Sequence, residues 1–115
     1  MWVKTAANSG VQTLVDKRVS SAPGAIGAVG YAVFLVNGAL SVQLADPGFA
    51  HFNYNSLLPV ADGAWHFVAV TVDRDDPTGL KIYVDGSVRE FDPRNRAGDL
   101  SNAANLLIGA HALGG

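Results

Sequence analysis

Cysteine is absent from this chain of 115 residues. Its absence excludes disulfides, thiolate metal sites and a cysteine nucleophile. Charged residues are also scarce, at 16%, and the net charge of −2 comes without any run of basic residues. This charge pattern predicts no nucleic-acid partner. The apolar stretches are only as long as strands, so no membrane insertion is expected, and the start Met1-Trp2-Val3-Lys4 lacks the pattern of a signal peptide.

Helix signals are nearly missing, whereas strand signals recur along the whole chain. Thirteen glycines and five prolines separate short runs rich in Val, Leu, Ile, Phe and Tyr, a pattern typical of all-β proteins. The length and the 49% apolar content predict one folded domain over residues 1–115. Strands are predicted at residues 2–5, 12–18, 31–36, 39–45, 65–73, 80–84, 88–91 and 105–110. Residues 20–30 are small and glycine-rich and predict a loop.

Two tight turns and the alternation beside them indicate antiparallel hairpins. Asn37-Gly38 and Asp85-Gly86 are hairpin turn sequences, because both residues of each pair tolerate positive φ. Apolar and polar residues alternate along the neighbouring strands, so each strand has one core face and one wet face. Turns spaced roughly every ten residues then predict an all-β, antiparallel two-sheet sandwich. Three residue sets are expected in the core: Leu40, Val42 and Leu44; Val68, Val70 and Val72; Leu80, Ile82 and Val84.

The predicted strand over residues 65–73 opens with Trp65 and His66. His66 shares its parity with the valines, and we expect a hydrogen-bonded structural histidine there more than a ligand. Trp65 has a flat ring that can stack on a sugar, but a tryptophan at the head of a central strand is more often part of the packing. We therefore predict that Trp65 belongs to the core.

A polar segment with aromatic residues, residues 46–58, is predicted to be a loop and is the best candidate for ligand recognition. Sugars are bound by aromatic faces against their C–H bonds and by amide and carboxylate groups against their hydroxyls. His51, Asn53, Tyr54 and Asn55 offer such groups within five positions, and Tyr83 is a weaker candidate on the wet face of its strand. The alternative interpretation is an ordinary loop with one buried aromatic residue.

The order of several motifs resembles one family. The run from Asp62 to Thr71 reads D-G-A-W-H-F-V-A-V-T, followed by Y-V-D-G over residues 83–86 and L-L-I-G over residues 106–109. Together with Trp2-Val3-Lys4 and Gly30-Tyr31, these motifs resemble the laminin-G-like jelly rolls of the concanavalin A-like lectin/glucanase superfamily. The resemblance covers nearly the whole chain.

The resemblance implies a jelly-roll sandwich with a binding function. The leading expectation is a non-catalytic, lectin-like carbohydrate-binding module of an extracellular or cell-surface protein, with a glycan as its partner. The alternative is a structural or adhesive module that contacts a cell-surface protein without binding sugar. No required cofactor is implied.

The chain departs from the family in two respects. Members are usually longer at both ends, so we expect a fragment of a longer domain or protein, with unpaired sheet edges that favour a homo-oligomer. Many members also hold calcium with an aspartate before the Gly-Tyr hairpin, and the matching residues here, Ala28-Val29-Gly30, carry no carboxylate. Calcium needs several oxygen ligands. The remaining, weak metal candidates are Asp73, Asp75 and Asp76.

Catalytic motifs are not found. Glycoside hydrolysis uses two carboxylates flanking the bond, whereas this chain has one glutamate, Glu90, two positions before Asp92. Nucleophile-elbow, zinc-protease and phosphate-loop patterns are absent from the sequence as well. The sequence predicts no catalytic residue and no enzyme.

Overall fold

Two antiparallel sheets form the protein, as the sequence predicted. The computed structural model describes residues 1–20, 28–47 and 50–110. Within these residues the strands are β1 Trp2–Lys4, β2 Val11–Ser20, β3 Ala28–Val36, β4 Ala39–Asp46, β5 Ala50–Pro59, β6 Trp65–Val72, β7 Leu80–Val84, β8 Ser87–Phe91 and β9 Leu107–Ile108. A 3₁₀ turn spans Pro93–Asn95. No helix of the described residues is long and apolar enough to cross a membrane.

The smaller sheet has the order β1-β6-β7-β8 and the larger one the order β5-β4-β3-β2-β9. Every pairing is antiparallel. Both predicted hairpin turns are confirmed: Asn37 and Gly38 have φ of 48° and 80°, and Asp85 has φ of 54°. Gly38 is also required sterically, because a Cβ there would lie 2.9 Å from the Cβ of Ala61.

The core lies between the sheets and contains the predicted sets. Leu40, Leu80 and Ile82 have no exposed surface. Within the smaller sheet, the neighbouring strands β6 and β7 contribute the cross-strand pairs Val68↔Val84, Val70↔Ile82 and Val72↔Leu80. Burying each such side chain stabilises the fold by about 1.5–3 kcal/mol. Val72 is the exception, since it lies at the rim and is 42% exposed.

Four sequence predictions need correction. Residues 46–58 are not one loop, because β4 continues to Asp46 and Ala50–Pro59 forms β5, which pairs with β4 from Asp46↔Ala50 to Ala39↔Pro59. The polar residues of this segment suggested a loop, but they lie on the outer face of β5, a strand whose side chains alternate between polar and apolar. The glycine-rich region enters β3 already at Ala28, and its residues 21–27 lie outside the described residues. The last strand is only Leu107–Ile108.

The fourth correction concerns Trp65, which does not belong to the core. Its side chain is 61% exposed. Trp65 points to the opposite face of β6 from Val68, which is 3% exposed and faces the other sheet. The prediction relied on the usual burial of tryptophan, whereas the alternation of side chains along this strand already placed Trp65 on the face opposite to the valines.

Candidate functional site

The outer face of the five-stranded sheet carries three cross-strand rows of residues. The register aligns Thr13–Phe34–Ser41–Asn55, Asp16–Ala32–Gln43–Asn53 and Arg18–Gly30–Ala45–His51 across β2, β3, β4 and β5. These twelve positions are called the polar face below. Every second residue of each strand points to the same side of a sheet, so this set lies on the side opposite to Leu40, Val42 and Leu44. Its inner positions on β2, β3 and β4 are nevertheless covered, since Asp16, Ser41 and Ala45 have no exposed surface.

A buried ion pair anchors the polar face on β2. The Nε and Nη2 atoms of Arg18 donate to the two carboxylate oxygens of Asp16 at 2.7 and 2.6 Å. The Asp16 side chain is fully buried and that of Arg18 is 9% exposed. Buried charges are tolerated only when they are paired and hydrogen-bonded. The bidentate geometry meets this condition and also fixes the plane of the guanidinium group.

From Arg18 a chain of hydrogen bonds crosses the sheet in one direction. Arg18 Nη1 donates to Gln43 Oε1 at 2.7 Å, and Gln43 Nε2 donates to Asn53 Oδ1 at 2.8 Å. Because a guanidinium can only donate, each amide oxygen must turn toward Arg18 and each amide nitrogen away from it. The side-chain NH₂ group of Asn53, at the exposed end, is thereby left as an oriented donor.

A shallow depression of about 200 Å³ lies along this chain of hydrogen bonds. Thr13, Arg18, Phe34, Gln43 and Asn53 contribute to its lining. Small residues of β3 make room for the crossing, since Ala32 and Gly30 stand between Arg18 on β2 and Gln43 on β4. The depression combines an aromatic ring with several donors and acceptors.

Three of the five predicted ligand residues lie on the polar face, and two do not. His51, Asn53 and Asn55 occupy its outermost strand. Tyr54 points the other way: its side chain is 2% exposed, and its hydroxyl donates to Asn95 Oδ1 at 2.6 Å. Burial raises the pKa of the Tyr54 phenol. Its placement follows from the strand period, which reverses direction between Asn53 and Asn55.

The fifth candidate, Tyr83, belongs to the other sheet. It pairs with Ala69 and Val88 and therefore lies on the outer face of the four-stranded sheet, away from the polar face. Residues Asp16, Arg18 and Gln43 were missed by the sequence analysis. Two opposite charges two positions apart in the strand 12–18 were a signal for them, because such residues share one face.

Two of the three aspartates proposed as weak metal ligands accept hydrogen bonds within a turn. Asp73 Oδ1 accepts from the backbone N–H of Asp75 at 3.1 Å, and Asp76 Oδ1 accepts from the N–H of Thr78 at 2.8 Å. The Thr78 hydrogen bonds lower the pKa of Asp76. Over residues 1–20, 28–47 and 50–110, no group of three or more His, Asp or Glu residues is arranged to hold a metal ion.

Both carboxylates near the end of β8 have structural contacts. Glu90 lies 3.7 Å from Lys81 Nζ on the neighbouring strand. Asp92 caps the 3₁₀ turn and accepts from Arg94 at 2.9 and 2.8 Å, and these bonds lower its pKa to about 2. A carboxyl with so low a pKa is not a proton donor near neutral pH.

His66 bridges two turns, which confirms its predicted hydrogen bonding. Its Nε2 lies 2.7 Å from Asp62 Oδ1 and its Nδ1 lies 2.7 Å from Asp85 Oδ2. The bond to Asp85, and then that to Asp62, raises the pKa of the imidazole. The hydrogen bond from His66 lowers the pKa of each carboxyl. Asp85 was predicted only as a turn former, and through His66 both aspartates also fix the loop ends to β6.

An exposed aromatic patch occupies the outer face of the four-stranded sheet. It consists of Trp2, Trp65 and Phe67, which are 64%, 61% and 43% exposed. Trp2 and Phe67 are cross-strand partners with ring centroids 5.5 Å apart in an edge-to-face arrangement. Lys4 Nζ lies 5.9 Å from the Trp65 ring centroid. Contiguous aromatic surface of this kind is a feature of interaction sites.

Comparison with known families agrees with the fold. The family described as the concanavalin A-like lectin/glucanases superfamily, in its laminin-G group, matches the chain over residues 1–115. The chain therefore belongs to this family, and the predicted resemblance is confirmed. No curated protein and no solved structure matches the chain.

Proposed function

We propose that the protein is a non-catalytic carbohydrate-binding module that holds a glycan against the polar face. The observation that carries this proposal is the one-way chain of hydrogen bonds from Arg18 through Gln43 to Asn53. It presents a fixed donor at the end of the depression, beside acceptor oxygens and the ring of Phe34. Sugar hydroxyls need donors and acceptors in fixed positions, and the family is one in which carbohydrate binding is expected.

The proposed mode of binding is shallow. The depression is open and small, so one site is expected to bind weakly and to gain strength through several copies on one surface. No catalytic step is proposed, because Glu90 and Asp92 are engaged in the contacts described above. An extracellular or cell-surface location goes with this proposal, since accessible glycans occur there.

The experiment that tests the proposal is a glycan array on the whole chain, with and without calcium. The decisive variant is Asn53→Asp, which keeps the acceptor for Gln43 and replaces only the outward NH₂ group by an oxygen. We expect binding of one glycan class by the native protein and at least a tenfold loss in the variant, which corresponds to about 1.4 kcal/mol. Because no described carboxylate cluster suits calcium, binding is expected without it.

Asn105→Asp is the matched control, because Asn105 is exposed and lies outside the strands. This variant should bind like the native protein, and both variants should keep the native Tm. A blank array from a protein that circular dichroism shows to be folded contradicts the proposal. So does native-like binding by Asn53→Asp.

A second candidate function, protein–protein adhesion without sugar, is favoured by the aromatic patch. Trp and Phe are enriched at protein interfaces, and three such residues are exposed together here. Competition separates the two functions: free oligosaccharide displaces a sugar-dependent ligand and leaves a protein ligand bound. Trp65→Ala should then weaken adhesion only in the second case.

A further inference from the structure

The depression on the polar face has two unlike sides. The ring of Phe34, on β3, contributes to its lining. Val11 and Thr13 of β2 line one side, whereas Gln43 of β4 and Asn53 of β5 line the other. The strands β2 and β4 are the neighbours of β3, and two strands that flank a third lie about 10 Å apart. The depression therefore suits one sugar residue and offers it an apolar side and a polar side.

The apolar side offers a contact of about the size of a methyl group. Phe34 is 8% exposed, so little of its ring is accessible, whereas a sugar that stacks on an aromatic residue uses a whole ring face. Thr13 is the cross-strand partner of Phe34, and Val11, two positions before Thr13, is a diagonal neighbour of Phe34 on the same face. Val11 is 65% exposed and adds its two methyl groups to this side.

The polar side offers a hydrogen-bond donor without a net charge. The guanidinium group of Arg18 is paired with the carboxylate of Asp16, and the amide oxygens of Gln43 and Asn53 each accept a hydrogen bond from the preceding member of the chain. The outward group of Asn53 is its NH₂. A ligand group that only accepts is satisfied by this donor alone, whereas a hydroxyl must also donate its own hydrogen. The polar side therefore favours an uncharged carbonyl oxygen.

We propose that the depression selects a sugar residue that carries an acetyl group. An acetyl group is uncharged and joins a carbonyl oxygen and a methyl group to one carbon atom, so it meets the requirements of both sides together. Its oxygen accepts from the NH₂ group of Asn53, and its methyl group packs against Val11 and the accessible part of Phe34. N-acetylated and O-acetylated sugars share this group. The inference rests on the proposed sugar binding at the polar face and names the class of sugar bound there.

The experiment reads the glycan array in pairs that differ only in the acetylated position. N-acetylglucosamine is compared with glucose, N-acetylgalactosamine with galactose, and O-acetylated with unacetylated xylose oligosaccharides, all on the whole chain. We expect the acetylated member of a pair to bind about tenfold or more tightly, because its counterpart leaves the Asn53 donor and the apolar side without partners. The first two pairs report on the N-acetyl group and the third on the O-acetyl group. Calorimetric titration of the preferred pair then gives the two Kd values.

The variant Val11→Thr tests the contact with the methyl group. It replaces one methyl group by a hydroxyl of similar size at an exposed residue that begins β2, so the fold is kept. We expect the variant to reduce the preference for the acetylated sugar about fourfold, as for the loss of one methyl contact. Val88→Thr is the matched control, because Val88 is 39% exposed and lies on the other sheet. This control should keep the native preference.

Failure of this inference differs from failure of the proposed function. Sugar binding without a preference for the acetylated member of any pair overturns the inference and leaves the proposed sugar binding in place. The same holds for a preference that Val11→Thr leaves at the native value. A blank array from a folded protein contradicts sugar binding itself and the inference with it. A preference for acetylated sugars that falls in Val11→Thr and persists in Val88→Thr supports both.

Discussion

The outer faces of the two sheets follow the same strand period but use it differently. The polar face of the five-stranded sheet buries charge, with Asp16 fully buried and Arg18 9% exposed. The outer face of the four-stranded sheet exposes large apolar rings, with Trp2 64% and Trp65 61% exposed. Burial of charge and exposure of aromatic surface are both unfavourable for a domain that only needs to fold. Each face therefore carries a feature that stability does not explain.

The difference between the faces lies in their rigidity. On the polar face, the carboxylate of Asp16 holds Arg18, and Arg18 in turn orients Gln43 and Asn53. On the aromatic patch, the contacts are an edge-to-face ring pair and a lysine 5.9 Å from the Trp65 ring centroid, and neither contact fixes a direction. Directed hydrogen bonds suit a small polar ligand, whereas an undirected apolar surface suits a larger partner.

The largest expected effect tests the buried pair against an exposed one. Asp16→Ala leaves the Arg18 charge in a buried place without its carboxylate, which costs about 3–5 kcal/mol of unfolding free energy. Glu90→Gln removes a partner of Lys81 on the other sheet, where both side chains are more than a third exposed, and should cost at most about 0.5 kcal/mol. Urea unfolding of the two variants measures both changes. Similar losses in the two variants contradict the contrast between the faces.

The sequence predicted the sandwich well because the signals for it are local. Asn37, Gly38 and Asp85 adopt positive φ in the two hairpin turns, and the alternating valines and leucines each specify one inward face. The segment 46–58 was predicted as a loop because His51, Asn53 and Asn55 look like loop residues when taken alone. Their partners Ala45, Gln43 and Ser41 on β4 make them a strand, and pairing between segments is not visible in local composition.

The candidate site was predicted only in part for a similar reason. Asn53 and its neighbours were chosen by residue type, which also selected Tyr54 although alternation turns it inward. Arg18 and Gln43 are 25 positions apart, and only the register of β2, β3 and β4 brings them into contact.

A pH-dependent effect is expected at the turns of the four-stranded sheet. Hydrogen bonds that His66 donates to Asp85 and Asp62 raise the pKa of His66 above its ordinary value of 6.5, because the imidazolium donates from both nitrogens whereas the neutral ring has one donor. A raised pKa stabilises the fold fully below pH 6.5, and this contribution is lost as the pH rises through the folded-state value. The lowered pKa values of both aspartates mean that their contribution is present above 3.8 and is lost on further acidification.

The variant His66→Gln tests this assignment. The free energy of unfolding of the native protein should exceed that of the variant most clearly near pH 5.5, which lies between the ordinary pKa values of aspartate, 3.8, and of histidine, 6.5. The difference should shrink by pH 9. Chemical denaturation at several pH values measures the difference, and an NMR titration should place the His66 midpoint above 6.5. A difference that stays constant from pH 5.5 to 9 contradicts the double carboxylate contact. Asp62→Asn serves as the control, since it should reduce the same pH dependence without removing the ring.

The smallest expected change in stability concerns the aromatic patch. Trp65→Ser removes a ring that is 61% exposed, and Lys4 remains solvated without it, so unfolding free energy should change by about 1 kcal/mol or less. The effect should appear instead in association, because exposed aromatic surface contributes strongly to interfaces. Sedimentation at high concentration and binding to cell-surface protein preparations, compared with the native chain and with Asn53→Asp, measure it. A loss of stability as large as that of Asp16→Ala contradicts an outward role for Trp65, whereas unchanged stability with weaker association identifies the aromatic patch as a contact surface separate from the polar face.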